Sequence, residues 1–525
     1  MDRITGGEAV VAQLEREGVD VAFGIPGVHT LEIYDALLDS GIDHVTTRHE
    51  QGAGFGADGY ARATGRVGVC FVITGPGLTN VATAVGQAYS DSSPLLVIST
   101  TNATNEADRG KGHLHELKDQ QGVMDSIAAE SYHVDRVADV PGTIADAFDY
   151  LDRHRPRPVH VQIPTDVLER AEPVELVDRE PAAPPGPDTE RVADAAELLA
   201  DADRPLLVVG GGTVDAADSV RAFVEETNIP VITTAAGKGV VPADHDCCVA
   251  TALGHEPAAE FVASRDLVLA VGTELSAQDT GDTPFPDGLI HIDIDPTNVG
   301  NNHETALGIV GDAGATLDAL TERVRERGPS YDGPTEADDA GPEPLSVGDE
   351  DDRLHLLAVL REALDDDAVV VNDMTKVSYA ARTRFPTGAP RSFLFPRGFG
   401  TLGFSPPAAF GAAIGTDRQV VSLVGDGGSL FTIGDLATAV QYDLGVPIVL
   451  CNDDSYDILE DVQRRDYGRT MATDIENPDF VDMAESFGAA ARRIAFEDAA
   501  DELPDALAAA FDRDRPTLIE IPVEF

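Results

Sequence analysis

The fold of the last third of this chain is decided by Val420-Val421-Ser422-Leu423-Val424-Gly425-Asp426-Gly427-Gly428 and Ile448-Val449-Leu450-Cys451-Asn452-Asp453-Asp454-Ser455-Tyr456. Each stretch is an apolar run that ends in polar residues, and the residues between them have a helical pattern. They predict a strand–helix–strand crossover, with Asp426 and Asp453 at one edge of a parallel sheet. Two carboxylates beside free backbone amides suit a Mg²⁺ ion that carries a diphosphate. An ordinary helix start with Asp426 as N-cap is the alternative.

Length and charge limit the possible functions. A chain of 525 residues exceeds one hydrophobic core, so two to four domains are expected. Lys and Arg number 37 against 93 Asp and Glu, and the resulting net charge of −56 opposes binding to nucleic acid or to an anionic membrane. The acidic residues are spread along the chain, which suits a protein in molar salt, where charge is screened over about 3 Å. We interpret the composition as adaptation to a halophilic cytoplasm.

The cysteines and the N-terminal segment predict the compartment. The four cysteines have no metal-ligand spacing and lie in apolar surroundings, which predicts reduced, mostly buried thiols; they are Cys70, Cys247, Cys248 and Cys451. The N-terminal segment has no signal-peptide core, and no apolar run approaches the length of a membrane span. We therefore expect a soluble, cytoplasmic protein that has no membrane partner.

Two stretches rich in proline and acidic residues divide the chain. Residues 171–190 and 327–350 lack apolar periodicity and are interpreted as linkers. They separate three predicted domains, 1–170, 191–325 and 352–525. Each domain alternates short β-branched runs with amphipathic helices, which predicts three doubly wound α/β domains with parallel sheets. The first and last domains are similar in size and layout, as expected for two versions of one fold.

The Gly-Asp-Gly sequence with its acidic turn resembles the cofactor motif of thiamine diphosphate enzymes. Where that family has a second Asn, this chain has Asp453, whose carboxylate oxygen can replace an amide oxygen at Mg²⁺. The resemblance implies that Asp426, Asp453 and the carbonyl of Ser455 are metal ligands. It also places the cofactor diphosphate at the helix start. The residues that it assigns to cofactor binding here are Gly425, Gly427, Gly428 and Tyr456.

A single carboxylate precedes a helix of small residues in the first domain. Apolar and glycine neighbours would desolvate Glu50, which favours a proton-sharing role. A carboxylate held only by the helix dipole is the alternative. In the family that this chain resembles, the matching glutamate bonds N1′ of the cofactor pyrimidine. The same resemblance assigns the turn at 74–80, with Gly75, Gly77 and Asn80, to the pyrimidine side of the cofactor.

Three histidines are candidates for proton transfer at the reacting carbon. His29 and His115 match family positions that line the substrate pocket, and His113 is the third; a structural role is the alternative for each. In the last domain, the sequence 397–404 resembles the family's Gly-Thr-Met-Gly turn. The resemblance gives Leu402, beside Gly400, the position of the apolar residue that holds the cofactor bent. An ordinary core leucine is the alternative there.

The sequence of the middle domain is the place to expect a nucleotide-binding pattern, because a second cofactor would bind there. The triple glycine 210–212 lacks the full dinucleotide pattern and is weak evidence for nucleotide binding. This domain resembles the middle domain of acetolactate synthases, which in many members holds FAD. Residues 274–279 replace the arginine-bearing segment of those members, so FAD binding is doubtful.

The motifs taken together predict Mg²⁺- and thiamine-diphosphate-dependent decarboxylation of a 2-oxo acid. Several stretches of the chain are similar to 5-guanidino-2-oxopentanoate decarboxylases: 24–32, 49–55, 86–92, 110–120 and 272–275. Acetolactate synthase, a 2-oxo acid carboligase, is the alternative. The turn 452–457 favours it, but this chain lacks the pocket lysine and the tryptophan of those enzymes. A non-catalytic binding or regulatory subunit is a remote alternative. The resemblance implies a homodimer or homotetramer, because the cofactor of such enzymes lies between subunits.

Overall fold

The computed structural model describes residues 3–107, 109–327, 331, 333–334 and 344–525. These residues form three parallel, six-stranded sheets flanked by helices, so the predicted α/β fold class is confirmed. Much of the predicted linker 327–350 lies outside the described residues. No helix in the described ranges combines the length and apolar character that a membrane crossing needs.

The first sheet has the strand order β3-β2-β4-β5-β7-β6. The residues predicted to begin the first linker form β8, which pairs antiparallel with β1. The elements are β1 (Arg3–Thr5), α1 (Gly6–Arg16), β2 (Val21–Gly24), α2 (Leu31–Leu37), β3 (Asp43–Thr46), α3 (Glu50–Thr64), β4 (Gly68–Val72), α4 (Pro76–Asp91), β5 (Leu95–Thr101), α5 (Gln120–Asp125), β6 (Glu130–His133), α6 (Val140–Arg153), β7 (Val159–Pro164), α7 (Thr165–Glu169) and β8 (Ala171–Pro173).

The middle sheet has the order β11-β10-β9-β12-β13-β14. Numbered within the sheet this is 3-2-1-4-5-6, the order of dinucleotide-binding folds, although a fold alone does not establish function. The elements are α8 (Thr189–Asp201), β9 (Pro205–Val209), α9 (Ala217–Thr227), β10 (Val231–Thr233), β11 (Cys248–Ala250), α10 (Glu256–Ala263), β12 (Leu267–Val271), α11 (Ala277–Thr280), β13 (Leu289–Asp293), β14 (Leu307–Val310) and α12 (Ala313–Arg327).

The last sheet has the order β16-β15-β17-β18-β20-β19, and its within-sheet order 2-1-3-4-6-5 is the same as that of the first sheet. The two are therefore versions of one topology. The elements are α13 (Asp352–Glu362), β15 (Val369–Asn372), α14 (Lys376–Arg384), β16 (Phe393–Leu394), α15 (Ser405–Gly415), β17 (Val420–Gly425), α16 (Asp426–Thr432), α17 (Leu436–Gln441), β18 (Pro447–Asn452), α18 (Asp457–Tyr467), α19 (Phe480–Phe487), β19 (Ala490–Arg493), α20 (Ala499–Phe511) and β20 (Thr517–Pro522).

The small residues of α3 have a packing role. A Cβ at Gly59 would overlap the backbone of Ala408 in α15, and one at Gly411 would overlap the carbonyl of Gly56. The two helices therefore meet backbone to backbone, and buried residues of the first and last sheets share one hydrophobic cluster. This close approach requires the glycines that make the α3 sequence so unusual. It fixes α3, which begins at Glu50, against the last sheet.

Candidate active site

The Glu50 carboxyl has two neighbours from the turn that begins α4. Glu50 is the first residue of α3 and is half-buried. The side-chain amide of Asn80 donates a hydrogen bond of 2.9 Å to its Oε2. A Cβ at Gly77 would lie 3.4 Å from its Oε1, so the bare glycine leaves that oxygen open. Glu50, Gly77 and Asn80, three of the four residues that the resemblance assigns to the pyrimidine, thus lie together.

Two of the predicted histidines lie beside this turn. The rings of His29 and His115 meet edge to face, with centroids 5.4 Å apart. A Cβ at Gly75, the N-cap of α4, would overlap the carbonyl of His115. His29 Nδ1 is buried and has no hydrogen-bond partner in the described ranges. Burial, with a smaller effect from His115, lowers the pKa of His29, so its neutral form is favoured.

The third histidine lies in a loop that a carboxylate organises. His113 Nδ1 is 3.6 Å from Oε1 of Glu106. The carboxylate of Glu116 accepts hydrogen bonds from the backbone N–H groups of Gly110, Gly112 and His113. These contacts hold the chain between β5 and α5 beside the histidine pair.

A buried glutamine that the sequence interpretation missed supports the Gly75 turn. Gln120 Oε1 accepts a hydrogen bond from Gly75 N–H at 3.1 Å, and its Nε2 donates to the carbonyl of Thr100 at 2.7 Å. It therefore ties the turn to the end of β5. The adjacent Gln121 is of the same residue type, and the sequence alone does not tell the two apart.

The predicted metal ligands follow neighbouring strands. Gly425 pairs with Cys451, so Asp426 and Asp453 emerge at the same edge of the sheet. Asp426 is 3% exposed. Burial, and then the charge of Asp426, raise the pKa of Asp453 to about 7, and burial raises the pKa of Asp426. A carboxylate whose pKa is raised by burial and by a neighbouring carboxylate fits a divalent cation, which would stabilise the charge.

Ser455 closes the turn that holds Asp453. Its N–H donates to Asp453 Oδ1 at 3.2 Å. In the described part of the chain no group of three or more His, Cys, Asp or Glu side chains is placed to hold a metal ion. The donors at this edge are the carboxylates of Asp426 and Asp453, with the backbone of Ser455 beside them. That set suits Mg²⁺, which commonly takes its other ligands from phosphates and water.

Asn477 is a second site residue that the sequence interpretation missed. Its Nδ2 lies 2.6 Å from Oδ2 of Asp426 and 3.0 Å from the side-chain oxygens of both Asn452 and Asp454. The amide thus orients Asp426 and joins it to the turn after β18. Asn477 lies in an irregular loop, where no periodicity or motif marks it in the sequence.

The glycines after Asp426 form a cradle with close walls. A Cβ at Gly427 would lie 2.6 Å from Cε1 of Tyr456, and one at Gly428 would lie 2.8 Å from Oδ1 of Asp373. A side chain at either position would fill the space at the start of α16. The residues that the resemblance assigns to the diphosphate therefore lie in the first turn of α16, where backbone N–H groups suit an anion.

The turn that carries Leu402 is fixed from both sides. Asp373, whose pKa burial raises to about 6, accepts hydrogen bonds from the N–H groups of Gly403 and Ser405. Gly400, the other predicted residue of the turn, has a positive φ of 70°. Leu402 itself is half-buried. It is therefore on a rigid turn and keeps part of its side chain available for a ligand.

Helix α4 holds the other side of this turn. Asp91 Oδ1 accepts the N–H of Gly398 at 2.8 Å, and Gln87 Oε1 accepts the hydroxyl of Thr401 at 2.8 Å. The helix that presents Asn80 near one end therefore positions the Leu402 turn near the other. In the described residues, no hydrogen bond or ion pair joins the Glu50 cluster directly to the Asp426 cluster.

The middle-domain segment 274–279 is bound to both other domains. Arg155 donates to Glu274 at 3.1 Å, and Arg397 forms an ion pair with Asp279. The segment is therefore occupied by contacts within the protein. The middle sheet contributes none of the polar groups described above.

Comparisons with known proteins identify the family of this chain. Residues 4–123, 192–320 and 373–521 match, respectively, the N-terminal TPP binding, central and C-terminal TPP binding domain models of thiamine pyrophosphate enzymes. The chain is 42% identical to a probable 2-ketoarginine decarboxylase, AruI, of Pseudomonas aeruginosa, over 99% of this chain and 94% of that protein. It is 34% identical to a probable acetolactate synthase large subunit of Methanocaldococcus jannaschii, covering 99% and 92%. It is 35% identical to an acetolactate synthase large subunit of Parasynechococcus marenigrum, covering 99% and 88%. The chain belongs to the thiamine pyrophosphate enzyme family.

Proposed function

We propose that this enzyme decarboxylates a 2-oxo acid with a cationic side chain, of the 5-guanidino-2-oxopentanoate (2-ketoarginine) class, with thiamine diphosphate and Mg²⁺. The observation that carries the proposal is the Glu50 carboxyl, oriented by Asn80 beside the histidine pair. The 42% identity to a probable 2-ketoarginine decarboxylase over nearly the whole chain supports this substrate class.

In this proposal the chain's own groups have separate tasks. Asp426, Asp453 and the Ser455 carbonyl bind Mg²⁺, and the N–H groups at the start of α16 bind the diphosphate. Glu50 shares a proton with the pyrimidine N1′ of the cofactor. When bound, thiamine diphosphate supplies the electron sink for the electrons released as CO₂ leaves. His29 and His115 would relay the proton that replaces the carboxylate on the product carbon.

Glu106 supports a cationic rather than a neutral substrate side chain. Its carboxylate is half-buried, 3.6 Å from His113, and its charge acts on His29. A guanidinium offers planar donors that match a carboxylate. A carboxylate close to the histidine pair favours such a side chain over the methyl group of pyruvate.

Product analysis tests the proposed reaction. The enzyme is incubated with thiamine diphosphate, Mg²⁺ and either 5-guanidino-2-oxopentanoate or pyruvate, in high salt. We expect CO₂ and 4-guanidinobutanal from the first substrate, at a kcat/KM well above that for pyruvate. Absence of both products, in a sample shown to bind the cofactor by calorimetry, would overturn the proposal.

Carboligation is the second candidate function. It is supported by acetolactate synthase relatives of 34% and 35% identity. In that case the same site would pass the two-carbon unit of pyruvate to a second 2-oxo acid. Formation of acetolactate from pyruvate, at a rate exceeding aldehyde release from the guanidino acid, would favour this candidate.

The proposal extends to cofactors, assembly and compartment. We infer three domains, 1–170, 191–325 and 352–525, in a halophilic cytoplasmic enzyme for which FAD binding is doubtful. Buried free thiols and the net charge of −56 support this setting. We also infer a homodimer or homotetramer, with Glu50 of one subunit serving the cofactor bound by the Asp426 cluster of another. Light scattering that gives a fully active monomer would contradict the assembly.

A further inference from the structure

One buried carboxylate lies against the segment that leads into α3, outside the clusters described above. Asp435 is 2% exposed and ends the short turn Ile433–Asp435, which directly follows α16. Its Oδ1 accepts hydrogen bonds from Arg48 N–H at 2.8 Å and from the Thr438 hydroxyl at 3.2 Å. Its Oδ2 is buried with no hydrogen-bond partner in the described ranges. Burial raises the pKa of this carboxyl, and the Arg48 N–H opposes the rise.

The second oxygen lies against the first turn of α3. A Cβ at Gly52 would overlap Oδ2 of Asp435, so only glycine leaves room for the carboxylate. Arg48 and Gly52 lie on either side of Glu50 in the sequence. The Asp435 carboxylate therefore contacts the chain immediately before and immediately after Glu50. It also lies at the start of α3, where the helix dipole favours a negative group.

We propose that Asp435 is a positioning residue for Glu50: by holding the start of α3 through Arg48 and Gly52, it sets where the Glu50 carboxyl lies. This inference rests on the proposed function, in which Glu50 shares a proton with the cofactor. The segment 426–435 thus begins at the proposed metal ligand Asp426 and ends at Asp435, which holds the start of α3. Proton transfer is sensitive to such placement, because a shift of about 1 Å can cost about 100-fold in rate.

The same interface offers a matched control farther from Glu50. The hydroxyl of Tyr442 accepts the Thr46 N–H at 2.8 Å and donates to the carbonyl of His44 at 3.0 Å. Tyr442→Phe removes these bonds between the same two domains but leaves Arg48 and Gly52 untouched. A purely structural role for Asp435 would make the two positions behave alike.

The experiment compares Asp435→Ala, Asp435→Asn and Tyr442→Phe in the intact chain. Two properties are measured: hydrogen–deuterium exchange of the backbone amides at 46–52 without cofactor, and exchange of the thiamine C2 proton with saturating cofactor. For Asp435→Ala we expect loss of protection at Arg48 and C2-proton exchange slowed about 10- to 100-fold, with unchanged cofactor affinity. Asp435→Asn keeps an acceptor for Arg48 and should restore most of the exchange rate. Tyr442→Phe should expose Thr46 and leave C2-proton exchange at the wild-type rate.

A second route keeps the test valid if Asp435→Ala does not fold. Gly52→Ala should displace the carboxylate and slow C2-proton exchange, with no further loss when it is combined with Asp435→Asn. Wild-type exchange in Gly52→Ala or Asp435→Ala, or equal slowing in Tyr442→Phe, would overturn the positioning role. A wild-type enzyme that does not exchange the C2 proton would instead overturn the proposed function.

Discussion

Asn80, near the start of α4, donates its side-chain amide to the carboxyl of Glu50, the first residue of α3, over 2.9 Å. The bond joins two helices that follow different strands of the first sheet. It leaves the other carboxyl oxygen facing Gly77, where no side chain intervenes. The bond to Oε2 thus orients the carboxyl, and Oε1 stays available for a ligand.

The first prediction concerns this free oxygen. Glu50→Gln keeps an acceptor for Asn80 but cannot share a proton, so exchange of the thiamine C2 proton should fall by about 10²- to 10⁴-fold. The melting temperature should stay close to that of the wild type, because the substitution conserves shape. Nuclear magnetic resonance of quenched samples measures the exchange. Wild-type exchange in a variant that binds cofactor normally would remove the role assigned to Glu50.

The second prediction is that stabilisation by bound cofactor depends on the metal and on the two carboxylates of the last sheet, and not on other carboxylates nearby. At 100 times the dissociation constant, bound cofactor stabilises the wild type by about 2.7 kcal/mol. Asp426→Ala and Asp453→Ala should lose most of this stabilisation, as should wild type treated with a chelator. Asp461→Ala is the matched control, since Asp461 lies on nearby α18 and bonds Lys376. Thermal melting with and without cofactor measures the stabilisation. Equal stabilisation in all variants would contradict the metal site.

We expect the Glu106 carboxylate to bind the positively charged side chain of the substrate. Glu106→Gln should lower kcat/KM for 5-guanidino-2-oxopentanoate by about 10-fold or more, because a charge-assisted hydrogen bond is lost. The neutral isostere 5-ureido-2-oxopentanoate should be affected little. Asp125→Asn, an exposed site in α5, controls for the change in net charge. An unchanged ratio between the two substrates would exclude Glu106 while leaving the decarboxylase proposal intact.

The next prediction is that a buried lysine in the middle domain makes the free energy of unfolding depend on pH. Lys238 is 2% exposed and donates to the Thr251 hydroxyl and the Phe385 carbonyl. Burial lowers its pKa from 10.5 to about 7. Between these values the unfolded chain binds a proton that the folded protein does not, so this group makes stability rise with pH by about 1.4 kcal/mol per unit. Below pH 7 both states are protonated and the contribution is constant.

Denaturant unfolding of wild type and Lys238→Met measures this slope as a difference. Groups remote from Lys238 contribute equally to both proteins and therefore cancel in the difference. The difference should change between about pH 7 and 10.5. A difference that is independent of pH would show that Lys238 keeps its proton when folded.

Salt dependence tests the interpretation of the acidic composition. With a net charge of −56, repulsion within the folded protein should be strong in dilute buffer. Raising KCl from about 0.2 M to about 3 M shortens the screening length and should raise the melting temperature. A melting temperature that is constant or lower at high salt would contradict halophilic adaptation.

Regular elements were predictable because their patterns are local. The strands Pro205–Val209 and Leu267–Val271 show this. Both are apolar, β-branched runs covered on two faces, and turn residues end them. The residues assigned to the pyrimidine and metal sites also group at sheet edges, since the carboxyl ends of parallel strands meet there.

Gln120, Asp435 and Asn477 escaped prediction for a different reason. Each is a polar residue in or beside a loop, and its partners are distant in the sequence: Gly75, Arg48 and Asp426 respectively. A polar side chain has no periodicity that predicts its partner. Only the folded chain shows that these groups are buried and what they hold.

The sequence by itself determined the fold class, the thiamine diphosphate family and the acidic surface, because strand patterns, glycine turns and composition are local properties of the chain. The tertiary structure alone decided that α3 packs against α15 and that Asp435 meets the start of α3. It also showed that the first and last sheets share one topology. The physical reason is that these relations join residues hundreds of positions apart, through backbone contacts that only glycine permits and buried hydrogen bonds that form only when the domains pack.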